Sequence, residues 1–478
     1  MTTSELPVAV IGAGPVGLAA AAHLLSQGLT PIVFEAGPQV GHAIRQWGHV
    51  RMFTPWEYCV DAEAGRLLHS HGWEQPPAEH IPTGSELVAS YLEPLARLPE
   101  LAPHIHLDAR VVGVTRRGAD KVRTAGREDL PFVVRVVGRD GSQRRHEVRA
   151  VIDASGTWGS PNPAGADGLP AIGEEAFAGH VSTGIPDILG RARARHAGRV
   201  TAVVGGGHSA LNVLIELAEL RRSAPGTRIL WVMRKASPEA AYGGEALDGL
   251  PARGALGSQA RTLVESGAVE VLTPFRIAEI RAGDETALRI VGDHDGRPAS
   301  FQADELVVTT GFRPDLGMLR EIRLSLDPWL ECAAGIGPLI DPNLHSCGTV
   351  RPHGAAELAH AERDFYIAGM KSYGRAPTFL LATGHEQVRS IAAALAGDAA
   401  AAARVELVLP ETGVCNSRPA EPAAKGSGCC GPAAAEPVLN PVEPEPVAAA
   451  AACCGAAAAK SEPAPVAAGC CTPADRAA

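Results

Sequence analysis

The sequence predicts an α/β protein of two three-layer, doubly wound units, followed by a tail that builds no core. Two segments pass from an apolar strand-like run through closely spaced glycines into a helical period, starting near Val8 and Val200. Alternating runs between them, Phe132 to Val137 and Val148 to Asp153, read as strands of a mixed sheet. A chain of 478 residues also exceeds what one ordinary core fills.

The first segment runs from Val8 through Gly12, Gly14, Pro15 and Gly17, a GxGxxG pattern between a strand and the helical run Leu18 to Leu25. Gly12 permits the tight turn, Gly14 lets a pyrophosphate approach the backbone, and Gly17 lets helix and strand pack closely. The phosphate charge then meets the positive end of the helix. The next strand, Pro31 to Phe34, ends in Glu35, 23 residues after Gly12, where a carboxylate accepts both ribose hydroxyls of an adenosine. This is the opening of a Rossmann-like dinucleotide-binding unit.

The second segment, Arg199 to Val204, leads into Gly205, Gly206, Gly207, His208, Ser209 and Ala210, with Ala in the third small position. A helix follows, with Ala210, Val213, Leu214, Leu217 and Ala218 on its inner face. The strand after it, Arg228 to Met233, ends in Arg234 and Lys235 rather than in an acid. Arg234 can clamp a 2′-phosphate through paired hydrogen bonds, which predicts NADPH over NADH. The alternative is that both are solvated strand-end charges.

A strand from Leu306 to Thr310, a strand and turn from Asp364 to Gly369, and a helical pattern from Thr378 to Leu395 complete the folded part. The expected boundaries divide the chain into 1–160, 161–300, 301–410 and, for a disordered tail, 411–478. The tail is Ala, Pro and Glu with few aromatic or β-branched residues, so burial there cannot offset chain entropy.

A net charge of −10 and scattered arginines leave no basic footprint for nucleic acid. No apolar stretch reaches 18 residues and no basic segment precedes Val8, so neither a membrane span nor a secretory signal is expected, and the protein is expected in the cytoplasm. Of ten cysteines only Cys59, Cys332 and Cys347 precede residue 410, a usage typical of reduced compartments.

Two such units in one chain, one inserted in the other, resemble the two-dinucleotide-domain flavoproteins. Val151 to Gly156 is similar to the segment after which that group leaves its first domain, Val307 to Asp315 to the return, and Phe365 to Gly369 to its last strand. The resemblance spans about residues 5–405 and embraces both pyridine nucleotide-disulfide oxidoreductases and flavin monooxygenases. The body carries no CxxC or CxxxxC, unlike ordinary thioredoxin and glutathione reductases. Gln46 to Trp56 is similar to flavin monooxygenase-type proteins, including those encoded beside arsenic-resistance genes.

The resemblance implies FAD on the first unit, near Gly12, Gly14, Pro15, Gly17, Glu35, Trp47, Val111, Ser155, Gly156, Gly369, Met370 and Thr378. It implies NADPH on the second, near Gly205, Gly207, His208, Ser209 and Arg234. Hydride then passes from nicotinamide to flavin, and electrons leave to oxygen and a substrate, or directly to an acceptor. The helix opening near Thr378 can aim its amides at the flavin. No catalytic side chain is assigned; for His208 and Cys59 packing is the expected role. Two positions depart from the pattern. The FxGxxxH fingerprint beginning at Phe177 has Thr183 in place of its histidine, with His180 nearby, and the usual acid after the last Ala-Gly is Met370.

The tail carries Cys415 and three adjacent pairs, Cys429–Cys430, Cys453–Cys454 and Cys470–Cys471. Random placement gives ~0.2 adjacent pairs, so chance explains them poorly. Paired thiolates suit trivalent arsenic, mercury or copper(I). The expected roles are delivery of a thiophilic ion to the flavin or simple storage. The expected partners are thus a small-molecule substrate, a thiophilic metal(loid) ion and a second copy in a homodimer, with no nucleic acid and no membrane. The readings weighed are an arsenic-linked monooxygenase, a reductase of thiol-bound metal(loid) or disulfide, and a non-catalytic metal-sensing flavoprotein.

Overall fold

The computed structural model describes residues 5–344, 350–377 and 379–407, all within one compact unit. Its first sheet has five parallel strands in the order Phe365–Ile367, Ala150–Asp153, Val8–Ile11, Pro31–Phe34, Ile105–His106. Successive side chains of a strand point to opposite faces, and the central strand divides accordingly. Val8 and Val10 pack with the helix Pro15–Ser26, while Ala9 and Ile11 pack with Val114, Phe132 and Val134 of an antiparallel meander. The meander consists of Ala109–Arg116, Phe132–Gly138 and Gln143–Val148, so helices, sheet and meander form three layers.

The second sheet repeats the plan in the order Glu270–Leu272, Arg228–Val232, Val200–Val204, Glu305–Val308, Val181–Thr183, again all parallel. Val203 and Trp231 face the helix His208–Ser223, and Ala202, Val204 and Leu230 face a meander of Phe275–Ala282, Leu288–His294 and Arg297–Ala303. Each sheet therefore takes its outermost strand from chain outside its own βαβ run: Phe365–Ile367 in the first, Val181–Thr183 in the second.

The chain returns to the first unit later than the expected residue 301. Arg297–Ala303 belongs to the second meander and Glu305–Val308 pairs with Val200–Val204, because that apolar run is the return strand of the inserted sheet. The two crossing segments run side by side: Asn162 N donates to Gly311 O (2.9 Å) and Arg313 N to Ser160 O (3.0 Å). The last long helix spans Leu381–Leu395, starting after Leu380, which is extended, rather than at Thr378. Among the described residues no helix is long and apolar enough to cross a membrane.

Candidate functional site

Both glycine turns open at the carboxyl ends of their parallel strands, the edge where sheets of this kind take ligands. In the first, Gly12 N donates to Phe34 O (2.8 Å), and its φ of +99° lies in the left-handed region that favours glycine. A Cβ on Gly12 would stand 2.8 Å from Ala154 O, and one on Gly17 only 1.9 Å from Gly12 O. A Cβ on Gly14 would meet nothing within 4 Å. Two glycines thus serve packing, and the third leaves an open face.

Pro15 begins the helix, whose first turn carries no side-chain cap and no acid, so its leading amides stay available to an anion. Glu35 is fixed before any ligand arrives: Oε2 accepts from Ala13 N (2.9 Å) and Oε1 from Gly37 N (2.8 Å). Each oxygen keeps a lone pair for a ribose hydroxyl.

The other expected residues of this site differ in what they present. Trp47 is half-buried, its ring 6.5 Å from that of Trp158. Val111 is 9% exposed, its side chain belongs to the core beneath the meander, and it pairs with Val136 in the ladder, so its side chain faces no ligand. Ser155 is exposed beside Gly156, and Met370 is half-buried after Gly369. Gly369 N donates to Oε1 of the fully buried Gln387 (2.7 Å), whose amide also reaches Ser372 Oγ (3.0 Å). Thr378 and the cysteines at 429, 430, 453, 454, 470 and 471 lie outside the described residues.

The second turn divides its glycines in the same way. Gly205 has φ +135° and a Cβ there would sit 2.5 Å from Thr309 Oγ1, whereas one on Gly207 would meet nothing within 4 Å. His208 opens the helix and Ser209 follows, half-buried. The His208 ring lies 5.8 Å from that of Phe53, which comes from the first unit. Burial holds His208 below the usual histidine range; Arg253 adds to this and Asp248 opposes it.

Arg234 and Lys235 diverge. Arg234 Nη1 donates to Ala166 O (2.6 Å) on the crossing segment, while Lys235 Cδ lies 3.7 Å from the Cβ position of Gly206. The basic side chain leaning over the turn is therefore Lys235, which the strand-end pattern had placed second. Between the units, Trp158 Nε1 donates to Gln46 Oε1 (2.8 Å). Beside that bond is a cavity of about 530 Å³ lined by Trp158, Thr183, Pro186, Arg191 and Phe312. His180 does not join it through its ring, which bonds Asp304 O (3.1 Å).

Sequence reasoning missed Asp153, Lys371 and Gln387. Asp153 closes a strand and Lys371 follows Met370, and nothing local marks them as partners, yet Lys371 Nζ lies 2.7 Å from Asp153 Oδ2. Cys59 and Cys332 are buried free thiols. Burial pushes them up to about 11 and about 12, so neither is a thiolate at neutral pH, and Cys59 packs against Thr54. Among the described residues no group of His, Cys, Asp or Glu could hold a metal ion.

A family model described as pyridine nucleotide-disulphide oxidoreductase matches residues 9–131. A ferredoxin–NADP reductase of Granulibacter bethesdensis is 27% identical over 326 residues, 68% of this chain and 75% of the relative. The solved bacillithiol disulfide reductase of Bacillus cereus superposes with a TM-score of 0.61 at 20% identity, covering 82% of this chain and 99% of that one. The cadaverine monooxygenase of Erwinia amylovora, solved bound to FAD, superposes with a TM-score of 0.55 at 14% identity, covering 83% and 94%. The chain has the two-dinucleotide-domain architecture of the flavoprotein oxidoreductases.

Proposed function

We propose that the protein is an FAD-dependent, NADPH-oxidising oxidoreductase that works in the manner of flavin monooxygenases and serves arsenic or metalloid detoxification. The observation that carries the two-nucleotide reading is the matched pair of turns, each with one glycine face open at the carboxyl edge of its own parallel sheet. The available groups fit the two cofactors. Gly14 and the uncapped amides of the helix Pro15–Ser26 receive one pyrophosphate, with Glu35 on the adenosine ribose. Gly207 and the uncapped helix His208–Ser223 receive the other, with Lys235 and Arg234 on the 2′-phosphate.

FAD, when bound, supplies hydride acceptance from the nicotinamide and passage of electrons onward. The chain's own contribution is binding and orientation: the Phe53 ring, 5.8 Å from that of His208, brings the first unit against the second turn. The uncapped start of the helix Leu381–Leu395 offers positive potential to negative charge on the first nucleotide.

One observation favours a second reading, the likeness to a disulfide reductase. With Cys59 and Cys332 buried and protonated, sulfur chemistry on that reading falls to the substrate, to Cys347, which lies outside the described residues, or to the C-terminal cysteines. The deciding experiment is anaerobic reduction by NADPH followed by air, with and without arsenite or a methylated arsenical. Oxygen uptake matched to product supports the monooxygenase; anaerobic turnover of the acceptor supports the reductase. Absence of NADPH oxidation under both conditions overturns both.

A further inference from the structure

Asp153 and Lys371 are sealed from solvent, with side chains 0% and 1% exposed, although they stand behind the open edge of the first sheet. Between them and that edge is Ser155, which is exposed. Its hydroxyl donates to Asp153 Oδ1 (2.6 Å), its backbone N–H donates to the same oxygen (3.1 Å), and its Oγ accepts from Lys371 Nζ (3.0 Å). A serine hydroxyl has one proton and two lone pairs. With the proton committed to a carboxylate and one lone pair taken by an ammonium, a single lone pair remains. Ser155 can thus serve a ligand only as an acceptor, so it suits a hydroxyl and offers nothing to a phosphate oxygen.

The position says which hydroxyl. Ser155 Cα would lie 3.0 Å from a Cβ on Gly12, so it abuts the first turn. Strand order puts Glu35 on one side of that turn, at the end of Pro31–Phe34, and Ser155 on the other, after Ala150–Asp153. A dinucleotide with its adenosine at Glu35 and its pyrophosphate at Gly14 carries its other half toward Ser155. Met370, on the adjacent turn, has no side-chain oxygen to offer there.

We propose that Ser155 accepts a hydrogen bond from a hydroxyl of the polyol chain on the flavin side of FAD, and that Asp153, which takes its proton, and Lys371, which pins its Oγ, are positioning residues that fix where its one remaining lone pair points. This rests on the reading of the first turn as an FAD site. It assigns a purpose to a buried ion pair that closes the carboxyl ends of two neighbouring strands and costs desolvation to keep.

The test titrates apoprotein with FAD and, separately, with ADP, which contains the adenosine half alone. Ser155→Ala is expected to weaken FAD about tenfold, the size of one good hydrogen bond, and to leave ADP unchanged. Lys371→Met is expected to weaken FAD to a similar degree, and Ser155→Ala/Lys371→Met to be no weaker than Lys371→Met. Lys371→Met can unfold the protein by stranding Asp153, so Lys371→Met/Asp153→Asn provides the neutral background, with FAD again weakened and ADP retained. Ser155→Ala binding FAD as tightly as wild type, or losing ADP equally, overturns the acceptor role; additive losses in the double variant overturn the positioning role. Wild-type apoprotein that binds ADP but not FAD overturns the underlying functional reading, and is recognised before any variant is compared.

Discussion

Gly14→Ala and Gly17→Ala each add one methyl group to the first turn, three residues apart, and the two are expected to fail in different ways. At Gly14 the backbone is extended, with φ −85° and ψ −172°, a conformation any residue adopts, and the new Cβ meets no atom within 4 Å. Folding stability should therefore change by no more than ~0.5 kcal/mol, or rise slightly as the unfolded chain loses freedom. The methyl occupies the face that a pyrophosphate needs, so FAD affinity should fall by about ten- to a hundredfold, roughly 1.4–2.7 kcal/mol. At Gly17 the Cβ would lie 1.9 Å from Gly12 O, so the helix must move away from the strand that precedes it. Overpacking of that kind costs about 1–3 kcal/mol, which lowers stability with or without ligand. Thermal melting of apoprotein reads the first effect and quenching of FAD fluorescence the second. Wild-type FAD affinity in Gly14→Ala, or wild-type melting in Gly17→Ala, would refute the division of labour among the three glycines and with it the ligand edge.

The same contrast at the second turn predicts that Gly207→Ala loses NADPH while keeping FAD and stability, and that Gly205→Ala destabilises, because its Cβ would press on Thr309. A Gly207→Ala protein with an unchanged KM for NADPH sinks the assignment of that turn. Lys235→Ala should raise the KM for NADPH about tenfold more than that for NADH, with a smaller effect from Arg234→Ala, whose guanidinium also bonds Ala166. If neither variant alters the ratio, these residues do not recognise a 2′-phosphate. Glu216 is pushed up to about 7, chiefly by burial and further by Asp187, against a backbone bond from Ile188. With the folded value raised, its contribution to stability is present below the unfolded carboxylate range near pH 4.5 and is lost as pH rises toward 7. Glu216→Gln should flatten that slope and stabilise by ~1–2 kcal/mol at pH 8, after allowing for solvent screening of a partly exposed group; urea titrations with parallel slopes in both proteins argue against it. Truncation at Pro410 should reduce turnover of a thiophilic substrate at limiting concentration, and an unchanged rate dismisses delivery by the tail.

The two turns were legible because what they require is local. A positive φ at Gly12, close packing at Gly17 and an acid ending the second strand are fixed by residues near one another in the chain, and each leaves its mark in residue type. The same holds for the helix Pro15–Ser26, which starts at a proline suited to a first turn. Less was legible in the second unit. An apolar run such as Glu305–Val308 reads as a strand whichever sheet receives it, so pattern alone put the return crossing too early. Val111 was recognisable as a strand residue, but whether its side chain faces a ligand or the core depends on the meander laid over the sheet.

Residue type and spacing, then, determined the α/β class and the two glycine turns, since short-range sterics and periodic burial impose them on any chain with these patterns. Only tertiary structure decided which polar groups meet. Lys371 reaches Asp153 across 218 positions, and Arg116 and Arg127 share the buried Glu362 at 2.8 and 2.9 Å across 246 and 235. Arg234 turns to a backbone carbonyl while Lys235 leans over the second turn. Such pairings come from desolvating charges together once the sheets have closed, and a charge far away along the chain leaves no trace in the local pattern until the fold brings it within a few ångströms.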